Sequence, residues 1–249
     1  MEVHTHPHNH GKKSWKQYFW EFLMLFLAVF CGFLAENFRE HLVERRQEKE
    51  YMHSLVEDLQ TDTMNLNDEI PFSQGISERT ERLVLFLNNE PLHKDSIVKL
   101  YQLTLQAGRV VSIDFEDRTS SQLKNSGTMR LIRNKQVVDS IRNYWSIIKV
   151  ADDIRARLEM VKGKAGDIGV RLFNNKYIQS SNIQDPLQSD FFVLPEAKLI
   201  NDDPKLLAEY ANRCHSSQFV LNNYIINMKA AKEMATNLIK LIKQEYGLK

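Results

Sequence analysis

Four histidines alternate near the start of the chain, His4, His6, His8 and His10 of HTHPHNH, and imidazoles at that density bind zinc, copper or nickel. The segment supplies no fixed geometry, no second shell and no Cys or carboxylate partner. It therefore implies weak transition-metal binding by the His-rich tail and no resident cofactor. A second group of interest lies in RTSSQLKNSGTMRLIRNKQVVDSIRNYW, residues 118–145, which sets Arg118, Arg130, Arg133 and Tyr144 among hydroxyls and amides. Between two amphipathic segments, this composition reads in two ways. It lines a polar pocket that holds a small molecule between helices, or it caps the two arms of an ordinary helix-turn-helix.

The other reactive residue types lack the spacing that catalysis needs. Cys214 and His215 are neighbours, and neighbours on a helix point about 100° apart, so they cannot act as nucleophile and base on one another. Gly163, Gly166 and Gly169 of GKAGDIG sit inside a helical pattern without the dinucleotide-binding spacing, and read as close packing or local weakening of that helix. GKKS, 11–14, lacks the earlier glycine and the preceding strand of a phosphate loop and reads as a basic membrane flank. His41 and His53 are twelve residues apart and have no metal-ligand spacing. No paired carboxylates or serine elbow are present, so an enzyme is not expected.

The elements that would carry these residues follow from composition and periodicity. The chain has 249 residues, 43% hydrophobic and 26% charged, with a formal net charge of +1. It can bury a sizeable core and has no global attraction to nucleic acid. Six prolines and nine glycines favour long helices over strands and turns. Cys31 and Cys214 lie in distant segments and are not expected to pair.

Tyr18 to Ala35 carries a single charge, Glu21, and at helical rise covers roughly 27 Å, close to the hydrocarbon thickness of a bilayer. Tyr18, Phe19 and Trp20 form an aromatic belt at one end. Cleavage after Ala35 would place Phe33 at −3, and Phe30 precedes Cys31, so neither export signal nor lipoprotein signal fits. An uncleaved anchor is expected, with a buried core helix as its alternative. Positive charges flank both ends, and the balance leans towards a cytoplasmic tail and an external domain. That reading gives a single-pass protein of a bacterial inner membrane, its N-terminus cytoplasmic and its bundle periplasmic. Glu21, Ala28, Gly32 and Ala35 share one helical face, where small residues admit a second helix and a neighbour shields the carboxyl. The plainer alternative is that Glu21 and Glu36 mark the ends of a short span.

The organisation expected is a His-rich basic tail over 1–16, a transmembrane helix over 17–36, a charged helical stalk over 37–50 and a helical-bundle domain over 51–249. Within the last, Met52, Leu59 and Leu66 open an amphipathic helix that Pro71 is expected to end. Shorter helices are expected around 78–88 and 96–107, the second capped by Asp95 or Ser96, and another after Asp114, stopping near Gly127. RVVSI, 109–113, reads as extended linker and QSSNIQDPLQSD, 179–190, as a loop. Two long helices complete the set. One starts at an Asn134 cap and runs to about 178, with Val137, Ile141, Tyr144, Ile148, Ala151, Leu158, Val161, Ala165, Ile168 and Leu172 in the three-four alternation of one buried stripe; the other starts at Asp203 and Pro204. In the latter, Leu207, Cys214, Leu221, Met228, Ala235 and Ile242 recur every seven residues, with Tyr210, Ser217, Tyr224, Ala231 and Leu238 beside them. The fold class is all-α: an N-terminal transmembrane helix continuing into a stalk and an elongated antiparallel bundle of coiled-coil character.

MEVHTHPHNHGKK, WEFLMLFLAVFCGFLAE, REHLVERRQEKEYMHSLVEDLQTDT and SSQLKNSGTMRLIRNKQVVDSIRNYW together resemble an uncharacterised family of single-span membrane proteins of Bacteroidota. The resemblance implies membrane anchorage and an all-helical domain, and carries no assigned activity or catalytic residue. The expected partners are the lipid bilayer, further copies of the chain and an unidentified membrane or envelope protein, with no nucleic acid. The functional expectation is a membrane-anchored, oligomeric interaction or scaffold protein. Its rival is a tethered sensor or small-molecule-binding module that acts through a partner.

Overall fold

The computed structural model describes residues 14–89, 92–109, 113–180 and 191–248, and the chain divides into two compact units, Met1–Glu50 and Tyr51–Lys249. Helix α1 is the continuous element Trp15–Asn89. In the first unit it carries the apolar run, whose large side chains, among them Phe22, Leu25 and Phe33, are exposed. Phe22, Phe26 and Phe30 stack at centroid spacings of 6.3 and 5.9 Å, as four-residue steps on one helical face allow. The charged segment that follows is held locally by pairs such as Arg39 with Glu36, three residues apart.

The second unit is all-α, built on α1 from Tyr51 onward, α2 (Lys94–Ala107), α3 (Arg118–Asn125), α4 (Lys135–Leu172) and α5 (Pro204–Tyr246). Three buried clusters fix the helix directions. Met52 to Leu59 of α1 meet Val137 to Tyr144 of α4 and Ala235 to Ile242 of α5. Leu66 to Ile76 meet Ala151, Leu158 and the stretch Val220 to Ala231. Leu83 to Phe86 meet Ala165 to Leu172, Leu206 to Cys214, and α2. Thus α1 and α4 run parallel while α5 runs against both. Each seam residue expected on α5 is buried, because a stripe sustained over 43 residues, roughly 64 Å of helix, lies between two partners. Asn134 caps α4 by accepting from the backbone N–H groups of Gln136 and Val137, and Asp203 caps α5 by accepting from that of Lys205.

Pro71 does not end a helix, and 78–88 is not a separate one. Proline removes the N–H that would bond the Asn67 carbonyl, but Asn67 and Pro71 lie on the solvent side, where water replaces it. On the opposite side the buried stripe stays in phase through Leu66, Ile70, Ser73, Ser77, Thr80 and Leu83. Gln218 of α5 also donates to the Ser77 carbonyl, and the Ser77 hydroxyl donates to Asn222 at 2.6 Å, which ties the continuing turns to α5.

Other departures are local. Helix α2 starts after His93, whose backbone N–H donates to the Ser96 hydroxyl, so Ser96 closes a capping box from inside the helix rather than serving as the cap. Helix α3 begins at Arg118 and not after Asp114; beyond its end, Gly127 adopts φ +67°, a left-handed conformation suited to glycine. Helix α4 stops at Leu172, followed by a one-turn 3-10 helix, Asn175–Tyr177, and strand β1, Ile178–Ser180, which pairs antiparallel with β2, Phe191–Val193. The expected loop is therefore flanked by a two-stranded ribbon, with residues 181–190 outside the described segments. The linker expected over 109–113 lies mostly outside them too, apart from Arg109 and a buried Ile113.

Candidate functional site

The densest polar arrangement is a buried junction between α1, the start of α3 and α4. Asp58 and Asp62, one turn apart on α1, are 2% and 1% exposed. Every carboxylate oxygen of the pair accepts a hydrogen bond. Asp58 takes one from the Arg118 guanidinium at 2.6 Å and one from the Thr119 backbone N–H at 3.0 Å. Asp62 takes one from the Glu116 backbone N–H at 2.8 Å and one from the Tyr144 hydroxyl at 2.5 Å. Thr119 stands in the first turn of α3, so Asp58 caps that helix across space, while Asp117 makes no side-chain cap of its own.

Burial pushes the Asp62 carboxyl above its ordinary value; the Tyr144 and Glu116 hydrogen bonds pull it back, and the nearby Glu116 and Asp58 charges push it further up. Burial first, and then the Asp62 charge, push the Tyr144 phenol well above its usual range, so it remains a donor. This carboxylate pair, each of its four oxygens accepting one hydrogen bond, holds the 113–119 segment against the bundle.

The arrangement brings together Arg118 and Tyr144 of the expected polar pocket and leaves out the other two. Arg130 lies in the one-turn 3-10 helix Thr128–Leu131 and Arg133 just past it, and both are exposed. The helix-capping reading thus describes the Arg118 end. A recess of about 640 Å³ does open beside Asp62 and Tyr144, edged by charges of both signs. Two of these, Arg155 and Asp152, pair with one another at 3.7 Å, and the surface as a whole is mixed in sign.

Asp58 and Asp62 were missed because carboxylates on a charged helix read as solvated. The usable signal was phase. Asp62 falls three residues after Leu59 and four before Leu66, where the buried stripe calls for an apolar side chain.

The remaining candidates are dispersed. Glu21, Ala28, Gly32 and Ala35 lie along the exposed apolar part of α1, and a Cβ on Gly32 would meet nothing within 4 Å. His4, His6, His8 and His10 lie outside the described residues, as does most of GKKS. Among the described residues no group of three His, Cys, Asp or Glu is placed to hold a metal ion. Cys214 is buried in the α5 seam, where desolvation pushes its thiol up to about 11.

A second cavity, of about 490 Å³, lies where α2 crosses α4 and α5. Its floor is aromatic: Tyr101 and Phe173 meet edge to face at 4.9 Å, and Phe173 and Tyr210 at 5.5 Å. Tyr101 is fixed there, donating to the Lys198 carbonyl at 2.9 Å and accepting from the Asn174 N–H at 2.8 Å. The Thr104 hydroxyl, buried in the lining, lies close enough to the Tyr210 phenol to temper the burial-driven rise of its pKa. Gly166 and Gly169 of α4 form part of the wall, and a Cβ at Gly166 would meet nothing within 4 Å. Close packing therefore does not explain Gly163 or Gly166. No protein-family model, curated protein or solved structure matches the chain.

Proposed function

We propose that this protein is a non-catalytic, membrane-anchored helical interaction or scaffold module, self-associating through the Glu21, Ala28, Gly32 and Ala35 face. In this reading it sits in a bacterial inner membrane with its tail cytoplasmic and its bundle periplasmic. The observation that carries the proposal is the apolar window of α1, long enough to cross a bilayer and with none of its residues buried in the fold. A soluble core helix would be covered by its neighbours; this one is bare along its length, and lipid is the solvent that suits it.

Alkaline carbonate extraction of membranes tests the anchor: the chain is expected to stay in the pellet, and its appearance in the wash overturns the reading. Self-association is tested by crosslinking in native membranes with Gly32→Ile. Because a Cβ at this position meets nothing within 4 Å in its own chain, a marked fall in crosslinked dimer reports a contact between copies. Unchanged crosslinking removes the association face and leaves the anchor standing.

A second reading, a tethered small-molecule-binding module, is favoured by the cavity beneath α2 and not by the junction at Arg118 and Tyr144.

A further inference from the structure

We propose that the cavity between α2, α4 and α5 binds a small single-chain amphipathic carboxylate, with its acid group against Lys162 and its apolar body along the wall formed by Gly166 and Gly169. This inference rests on the second reading above and gives it a ligand class.

Charge is the first argument. Among the described residues that line the cavity, two are cationic, Arg109 and Lys162, and none is Asp or Glu. The rest of the lining is mainly apolar or aromatic. Lys162 is half-buried and its ammonium donates to the Arg109 carbonyl, but among the described residues no carboxylate pairs with it. A partly desolvated ammonium with only a neutral acceptor gains from an incoming anion, because the desolvation cost is already met in the fold.

Shape is the second argument. A volume of about 490 Å³ lies within the range of small-molecule sites, roughly 300 to 1,000 Å³. The α4 wall is open because its residues at 166 and 169 are glycines, although glycine weakens a helix interior. Alanine at Gly169 would make only ordinary contact, 3.8 Å from Tyr210 and 3.9 Å from Phe173, so nothing in the packing demands glycine there. What the missing side chains do provide is room. The buried Thr104 hydroxyl, beside the Tyr210 phenol, offers a further polar contact inside an otherwise greasy space.

The test is calorimetric titration of octanoate into the full-length chain in nanodiscs of zwitterionic lipid, with empty discs as blank and octanol as the uncharged counterpart. The zwitterionic lipid contributes no single-chain anion of its own. Octanoate is expected to bind roughly tenfold or more tightly than octanol, the scale of a charge-assisted hydrogen bond. Gly166→Leu should abolish binding of both while leaving the helix intact, since leucine is the better helix former and its Cβ meets open space. Lys162→Met should reduce the octanoate preference to near one while octanol binding persists. Equal binding of acid and alcohol by the unaltered chain overturns the carboxylate assignment and spares the cavity as a binding site. Failure of both probes overturns the assignment and the second reading together.

Discussion

Asp62 and Tyr144 meet at 2.5 Å in a buried junction, so each conditions the other. Tyr144→Phe keeps the ring and removes the donor, leaving a buried carboxylate oxygen unsatisfied; the expected cost is about 1–3 kcal/mol, read from urea unfolding of the membrane-reconstituted chain. The pH dependence has a definite sign. Folding raises the Asp62 pKa, so between the unfolded and folded values the native state holds more protons than the unfolded chain. The stability linked to this group is complete below the unfolded value and declines as pH climbs through the folded one. Asp62→Asn should flatten the stability profile across that window, and an unaltered slope would assign it to another group. At this scale the sequence revealed half of the arrangement. Arg118 and Tyr144 stood out by type, whereas Arg130 and Arg133 are exposed on either side of Ile132, which is the residue of that stretch buried against α1. Their acidic partners were hidden by resembling the solvated charges around them.

At the scale of elements, the seven-residue rows of α5 and the three-four rows of α4 predicted burial well, since a side chain's phase on a long helix leaves little freedom. Two α4 positions, Ile148 and Val161, are only half-buried. Pro71 is where local chemistry and tertiary packing disagreed. Proline is expected to stop a helix, but the stripe from Leu66 to Leu83 is buried on both sides of it, and the contacts with α5 outweigh one lost hydrogen bond. Pro71→Ala restores that bond at an exposed position. The expected gain is about 2 kcal/mol, the helix-interior penalty less the loss of proline's restraint on the unfolded chain. A thermal melt of the two proteins side by side decides it, and a lower melting temperature for the alanine form would refute this account of the continuous helix. The short ribbon of β1 and β2 escaped notice because three-residue strands bear too few side chains to establish a period of two.

For the molecule as a whole, all three core clusters are drawn from residues after Tyr51, and the compact unit begins there. A fragment spanning 51–249 is therefore expected to be soluble without detergent and to melt cooperatively, as circular dichroism and size-exclusion chromatography would report. Aggregation of that fragment would mean the preceding segment is needed for folding. The cavity under α2 was illegible beforehand because it belongs to no single element: it arises where a short helix crosses two long ones beside glycines whose absent side chains leave no pattern. The part played by α5 has a consequence for biosynthesis. It supplies one wall to each cluster and leaves the ribosome after α1 to α4, so the inward faces of α1 and α4 stay uncovered until α5 has been made. A stalled or prematurely terminated product would display those faces, which makes it a natural client for chaperones and quality-control proteases.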